Sequence, residues 1–164
     1  MQPVLRDVTD IRELDTSAVP IPGMHDKTIA EAVTSGKPTV IIFGTPAFCK
    51  SQLCGPAKEI VDGLYEQYGA EANFVHVEPY FLEEARSGKG LCPVAIMNVE
   101  YAADPPEGCP TIPAAELPPA DQSWDLSTEP WVFIVDKDGN IAARFESAFS
   151  EQELEDALKT VLSP

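Results

Sequence analysis

The stretch from Pro38 to Pro56, PTVIIFGTPAFCKSQLCGP, decides how the rest of the chain is read. Its first seven residues are a run of β-branched and apolar side chains bounded by Pro38 and Gly44, the pattern of a short strand buried on both faces. Cys49 and Cys54 follow at once. From about Lys50 to Tyr68, the residues Leu53, Ala57, Ile60, Val61, Leu64, Tyr65 and Tyr68 recur at three- and four-residue intervals, which predicts an amphipathic helix stopped by Gly69. Pro56 falls early in this span, so it either begins the regular helix or kinks it.

Working outward, Asn73 to Tyr80 (NFVHVEPY) reads as a second buried strand, and strand, helix, strand in that order implies a parallel pair with a right-handed crossover. Upstream, Thr28 to Ser35 makes about two turns of helix capped by Asp26 or Thr28, after a lead-in whose Pro20, Pro22 and Gly23 favour irregular or hairpin structure. Downstream, residues 81–127 offer a short helix at 81–87 and then prolines at 93, 105, 106, 110, 113, 118 and 119; so long a loop signals function or a covalent tie. Trp131–Val135 and Ile141–Glu146 are strands joined by an Asp138-Gly139 hairpin. Ser150 and Glu153 form a capping box for a helix striped by Leu154, Ala157, Leu158 and Val161.

The 164 residues are enough for one domain with a proper core. The expected organisation is a single domain with an extension at 1–37, a βαβ core at 38–80, a Pro-rich insertion at 81–127, and a hairpin with a terminal helix at 128–164. A formal charge of −16 argues against sequence-general binding to nucleic acid or anionic lipid. No run approaches the roughly 20 apolar residues of a membrane span, and the N-terminus lacks signal-peptide features. A leader or lipid anchor preceding this sequence is compatible with that.

The four cysteines form two local pairs, Cys49 with Cys54 and Cys92 with Cys109, an arrangement suited to disulfides in an oxidising compartment. Their spacings do not suit a four-cysteine zinc site. A disulfide between Cys92 and Cys109 would be a structural staple contributing about 3 kcal/mol by loop-closure entropy. At a helix N-terminus, exposed amides stabilise a thiolate, so Cys49, with Lys50 beside it, is the expected nucleophile and Cys54 the deeper resolving thiol. If residues 49–54 were all helical, the two Cα atoms would stand roughly 8 Å apart, beyond the disulfide limit of about 7 Å. Bonding therefore requires residues 49–53 to form a loop or to unwind.

Strand, cysteine-bearing helix, strand, connection, Pro, hairpin and terminal helix together resemble the thioredoxin superfamily, from about Pro38 to Leu162. FGTPAFCKSQLCGP and EPWVFIVDKDGNIAARFE look like the text of bacterial thioredoxin-like proteins found outside the cytoplasm. The resemblance implies an α/β, thioredoxin-like three-layer sandwich: a central mixed sheet, flanking helices, and the Pro-rich insertion placed before a cis-proline. It makes Cys49 the nucleophile, Pro130 the cis-proline beside the cysteines, and Glu129 the position that pairs with substrate backbone. It implies a thiol-disulfide oxidoreductase acting on protein thiols or disulfides, extracytoplasmic, with no cofactor.

Four residues separate Cys49 from Cys54 where thioredoxins have two, and Ala57 stands where Cys-Gly-Pro-Cys would place a second thiol. The Cys-x4-Cys spacing also occurs in peroxiredoxin Q proteins, so a thiol peroxidase is the alternative enzyme. That pattern wants Pro and Thr where this chain has Ile42 and Pro46, with Thr45 one residue too far; Arg144 is the downstream arginine available to assist. A non-catalytic thioredoxin-like binding domain is the third reading.

The family's buried proton acceptor has no counterpart between Thr39 and Phe43, which leaves Glu78 or Glu129 for that part. Strand alternation puts Phe74, His76 and Glu78 on one face, which offers Glu78 as a partner for His76; the plainer reading is a partly exposed strand end with a satisfied histidine. His25 and His76 with the cysteines suggest a copper chaperone of the Sco type, but its cysteine spacing and its histidine near the final hairpin are missing, so no metal is expected.

Overall fold

The computed structural model describes residues 2–94, 97, 103–113, 115, 117 and 123–162. The chain divides into two compact units, the larger made of Gln2–Val77 with Glu129–Pro164 and the smaller essentially Glu78–Thr128.

The larger unit is built on a four-stranded mixed sheet. Strands β1 (Thr39–Phe43), β2 (Asn73–Val77), β3 (Trp131–Val135) and β4 (Ile141–Glu146) lie in the order β2-β1-β3-β4. β1 and β2 are parallel, and β3 is antiparallel to both β1 and β4. Every residue of β1 and β2 is buried, as their unbroken apolar text requires, whereas edge strand β4 is largely exposed. At one end of the sheet Val77, Phe43, Trp131 and Glu146 form a row, and from it the chain leaves β1 at Gly44.

The described residues form helices α1 (Ile29–Val33), α2 (Cys54–Tyr68), α3 (Leu82–Arg86) and α4 (Glu151–Leu162). Thr28, not Asp26, caps α1, its hydroxyl accepting from the N–H of Glu31 while the Glu31 carboxylate accepts from Thr28. Ser150 and Glu153 cap α4 in the same reciprocal way. Val40, Ile42, Phe74, Val132 and Ile134 from the sheet, Ala57, Val61 and Leu64 from α2, and Leu154 and Leu158 from α4 share one core cluster. Each large side chain there contributes about 1.5–3 kcal/mol by leaving water. Gly139 takes φ 86 in the β3–β4 turn, where Asp136 accepts from the N–H groups of Asp138 and Asn140. Instead of a hairpin, the lead-in makes three 3-10 turns, Leu5–Asp7, Ile11–Glu13 and Pro22–Met24, the last burying Met24 in the core.

Strand order, the parallel βαβ unit, the antiparallel hairpin and the terminal helix give the thioredoxin-like α/β fold. β2 is shorter than its apolar text suggests, ending at Val77 and not Tyr80. Pro79 has no N–H to donate to a neighbouring strand.

In the smaller unit, α3 precedes a closure in which Phe81 donates to the Cys92 carbonyl and Val94 to that of Pro79, with Tyr80 and Pro93 forming an isolated bridge. Cys92 and Cys109 are disulfide-bonded with Cα atoms 5.4 Å apart. Of the expected Pro-rich insertion, Pro118 and Pro119 lie outside the described residues.

Candidate functional site

Cys49 and Cys54 are bonded to each other, with Cα atoms 6.0 Å apart. The helix expected from about Lys50 begins only at Cys54, and this is what lets the sulfurs meet. Thr45 starts a turn in which its carbonyl accepts from Phe48 and Cys49, and the Cys49 carbonyl accepts from Gln52. Gln52 takes φ 60, which folds the chain back before the helix starts. The first regular α2 bond then runs from Ala57 to the Leu53 carbonyl. Pro56 sits in the first turn, where a missing N–H sacrifices no helix bond, so it begins the helix and does not kink it.

This geometry corrects the expected placement of Cys49 at the head of the helix. Cys49 is half-buried in the preceding turn, Cys54 is fully buried at the first helical position, and no side chain caps the start of α2. Cys54 is therefore the cysteine at the helix N-terminus, where amides without intrahelical partners favour negative charge. Lys50 is exposed in the turn.

The Glu129–Pro130 peptide bond is cis, and Pro130 is buried. A Cβ built on Gly44 would lie 3.6 Å from both Cys54 Sγ and Pro130 Cβ, so Gly44 is the thin spacer between helix start and proline. Glu129 brings its carboxylate to the sulfurs: Oε2 accepts the Thr45 N–H at 2.7 Å, and the ligand atoms of Cys49, Cys54 and Glu129 all lie within 4.8 Å of one another. Ser51 Oγ stands 3.1 Å from Cys49 Sγ and 3.4 Å from the Glu129 carbonyl oxygen, bridging the outer cysteine and the backbone before Pro130. Among the candidate acids, Glu78 is buried in the smaller unit, and Glu129 is the one beside the sulfurs. Arg144 is exposed on β4 opposite Phe133, two strands from β1 and two residues short of the row where Gly44 leaves the sheet.

A second cluster lies in the same unit. The ring nitrogens of His76 face Gly44, whose carbonyl is 2.9 Å from Nε2, and Asp15, whose Oδ2 is 3.3 Å from Nδ1. His25 Nε2 is 2.9 Å from that same Asp15 oxygen, and the two imidazole rings are 5.3 Å apart. His25 and His76 thus come together as a copper site would require, but around Asp15 and not around the cysteines. Burial alone would push the Asp15 carboxyl up, yet His25, His76 and Ser17 outweigh it and hold Asp15 well below the usual range. Burial also pushes His25 below its ordinary value, against the pull of Asp15. Nearby, Lys58 is buried on α2 and ion-paired with Asp62, whose carboxyl desolvation moves up.

Asp15 was not singled out in the sequence, because nothing local marks an acid in an irregular lead-in as buried. Asp15-Thr16-Ser17 is a weak turn signal, realised as the Ser17 N–H donating to Asp15 Oδ1 at 2.8 Å. Thr16 also reaches the cysteine turn, its Oγ1 accepting from the Ala47 N–H at 3.1 Å. The spacing of Lys58 did carry a signal, since it falls on the buried stripe of Cys54, Ala57, Val61 and Leu64.

No protein-family model and no curated protein matches the chain. Among solved structures it is similar to MTB dsbF in its mixed oxidised and reduced forms, at 19% identity and a TM-score of 0.47, over 80% of this chain and 84% of that one. It is also similar to a thiol:disulfide interchange protein of the thioredoxin family from Chlorobium tepidum TLS, at 16% identity and a TM-score of 0.45, over 81% and 85% of the two chains. A thio-disulfide isomerase from Thermus thermophilus matches at 22% identity and a TM-score of 0.41, over 76% and 79%.

Proposed function

We propose that this chain is a thiol-disulfide exchange protein whose Cys49 and Cys54 form the redox couple. The observation that carries the reading is asymmetric burial within one bonded pair: Cys49 is half-buried in a turn and Cys54 is fully enclosed at a helix start. An incoming thiolate reaches Cys49 Sγ, the Cys49–Cys54 bond breaks, and Cys54 departs as a thiolate toward the uncapped amides of α2. A second substrate thiolate then attacks the mixed disulfide and releases Cys49, leaving the substrate oxidised and the pair reduced by two electrons. The reverse sequence reduces a substrate disulfide.

Glu129 is placed to take or return the proton of the enclosed Cys54. Its backbone, with Pro130, forms the docking edge, where an extended substrate segment replaces the Ser51 hydroxyl at the Glu129 carbonyl. The substrate class is protein thiols or disulfides. An extracytoplasmic setting is supported by the pairing of all four cysteines in two disulfides. Among the described residues no helix is long and apolar enough to cross a membrane.

The test is equilibration of the protein in graded glutathione redox buffers, alongside Cys49→Ser and Cys54→Ser. Reversible exchange in the native chain, a mixed disulfide trapped on Cys49 in Cys54→Ser, and none in Cys49→Ser is the expected result. Rapid sulfenic acid at Cys49 with hydrogen peroxide and no exchange with glutathione would replace this reading with the peroxidase. Inertness toward both reagents would leave a binding domain.

A further inference from the structure

Three residues far apart in sequence aim ligand atoms at one buried point. Asp15 and His25 come from the lead-in and His76 from β2; they are 1%, 4% and 2% exposed. Asp15 and His76 are oriented from behind. Asp15 Oδ1 accepts from both the backbone N–H and the hydroxyl of Ser17, which leaves Oδ2 facing the two rings. His76 Nε2 lies 2.9 Å from the Gly44 carbonyl, a pure acceptor, so Nε2 carries a proton and Nδ1 is the ring nitrogen that faces Asp15. Support of this kind, a carbonyl behind an imidazole and donors behind a carboxylate, is what holds metal ligands in place.

His76 Nδ1 is buried and makes no hydrogen bond, although Asp15 Oδ2 is 3.3 Å away. A lone pair facing a carboxylate oxygen needs a cation between them, either a proton or a metal ion. At His76 the distance favours the metal, whereas His25 Nε2, 2.9 Å from the same Asp15 oxygen, stands at hydrogen-bond length and exchanges its proton for the ion on binding. An imidazolium–carboxylate hydrogen bond closes to about 2.7–2.9 Å. Two ligands on a tetrahedral ion with bonds of about 2.0–2.1 Å stand roughly 3.3 Å apart. Charge agrees, because Lys58 on α2 is paired with Asp62, while Asp15 is the acid that faces both rings.

We propose that His25 Nε2, His76 Nδ1 and Asp15 Oδ2 bind a divalent first-row transition ion of the zinc class. Two imidazoles and one carboxylate are the donor set such ions prefer over calcium or magnesium. The ion ties the lead-in to β2, two segments with no backbone ladder between them. With no sulfur among its ligands, the site holds metal whether Cys49 and Cys54 are bonded or reduced.

The full chain, oxidised so that no thiol competes, is dialysed against Co(II) and Zn(II), with His25→Gln and His76→Gln in parallel. One equivalent should bind, Co(II) should give visible d–d bands without sulfur charge transfer, Zn(II) should raise Tm, and both effects should vanish in the variants. X-ray absorption at the zinc edge of the native protein should show nitrogen and oxygen neighbours at about 2.0–2.1 Å, a readout that does not depend on the variants folding. Uptake of neither ion by the folded native chain would overturn the site and assign a proton to Nδ1. Sulfur neighbours at about 2.3 Å would overturn it in favour of the cysteines.

Discussion

The backbone N–H of Thr45 donates to Glu129 Oε2 at 2.7 Å, fixing a carboxylate beside the Cys49–Cys54 bond. A negative charge so close opposes formation of a thiolate on either sulfur. Glu129→Gln keeps the size and an acceptor for Thr45 but removes the charge, so the reduced variant should be alkylated faster at neutral pH. If the carboxylate costs the thiol one pKa unit, the gain is about tenfold. The same change stabilises the reduced form and should make the couple more oxidising. Stopped-flow alkylation and glutathione equilibria measure both; an unchanged rate and potential would mean that the carboxylate only shapes the turn.

Lys58 is almost wholly buried and its partner Asp62 one-quarter exposed, so the pair has an enclosed end and an open end. Removing the acid strands an ammonium inside the protein. Asp62→Asn should lower unfolding free energy by about 2–4 kcal/mol, whereas adding Lys58→Met in the same chain should recover most of the loss, because an apolar side chain of similar length suits the stripe of α2. Urea unfolding midpoints decide it. A double variant no better than the single one would show that the ammonium has partners beyond Asp62.

Hydrogen bonds from the Ser150 hydroxyl, and then from its backbone N–H, hold the Glu153 carboxyl below its ordinary value of 4.5. A lowered folded value means that the unfolded chain takes up protons first as pH falls. The stabilisation is therefore complete above about pH 4.5 and drains away as acid approaches the folded value. Ser150 amide exchange should accelerate selectively over that window, and in Glu153→Gln the acid-dependent acceleration should disappear. A flat profile in the native chain would deny the cap its ionic character.

The strands and the terminal helix were legible because their signals are local: PTVIIFG, WVFIV and the Asp138-Gly139 step each state their structure within a few residues. Ser150 with Glu153 did the same for α4. The start of α2 was read too early, since Leu53 continues the helical spacing into a segment that the left-handed Gln52 turns away. Cys49 and Cys54 could be named as a pair from the text, but which of them meets the helix amides depended on that boundary. For His76, alternation alone offers Glu78 as a partner. Its ring met Asp15 because the lead-in folds back over β2, a long-range event that no window of sequence reports.

One consequence of the late helix start concerns mechanics. Everything that separates the two sulfurs along the chain lies between the last residue of the sheet and the first turn of α2, held by turn bonds and by single contacts to Thr16 and Glu129, and by no ladder. Opening or closing the bond therefore asks only this short tether to move. Under the proposed exchange, the crossover and the strands beneath it then serve as a fixed anvil against which that tether works.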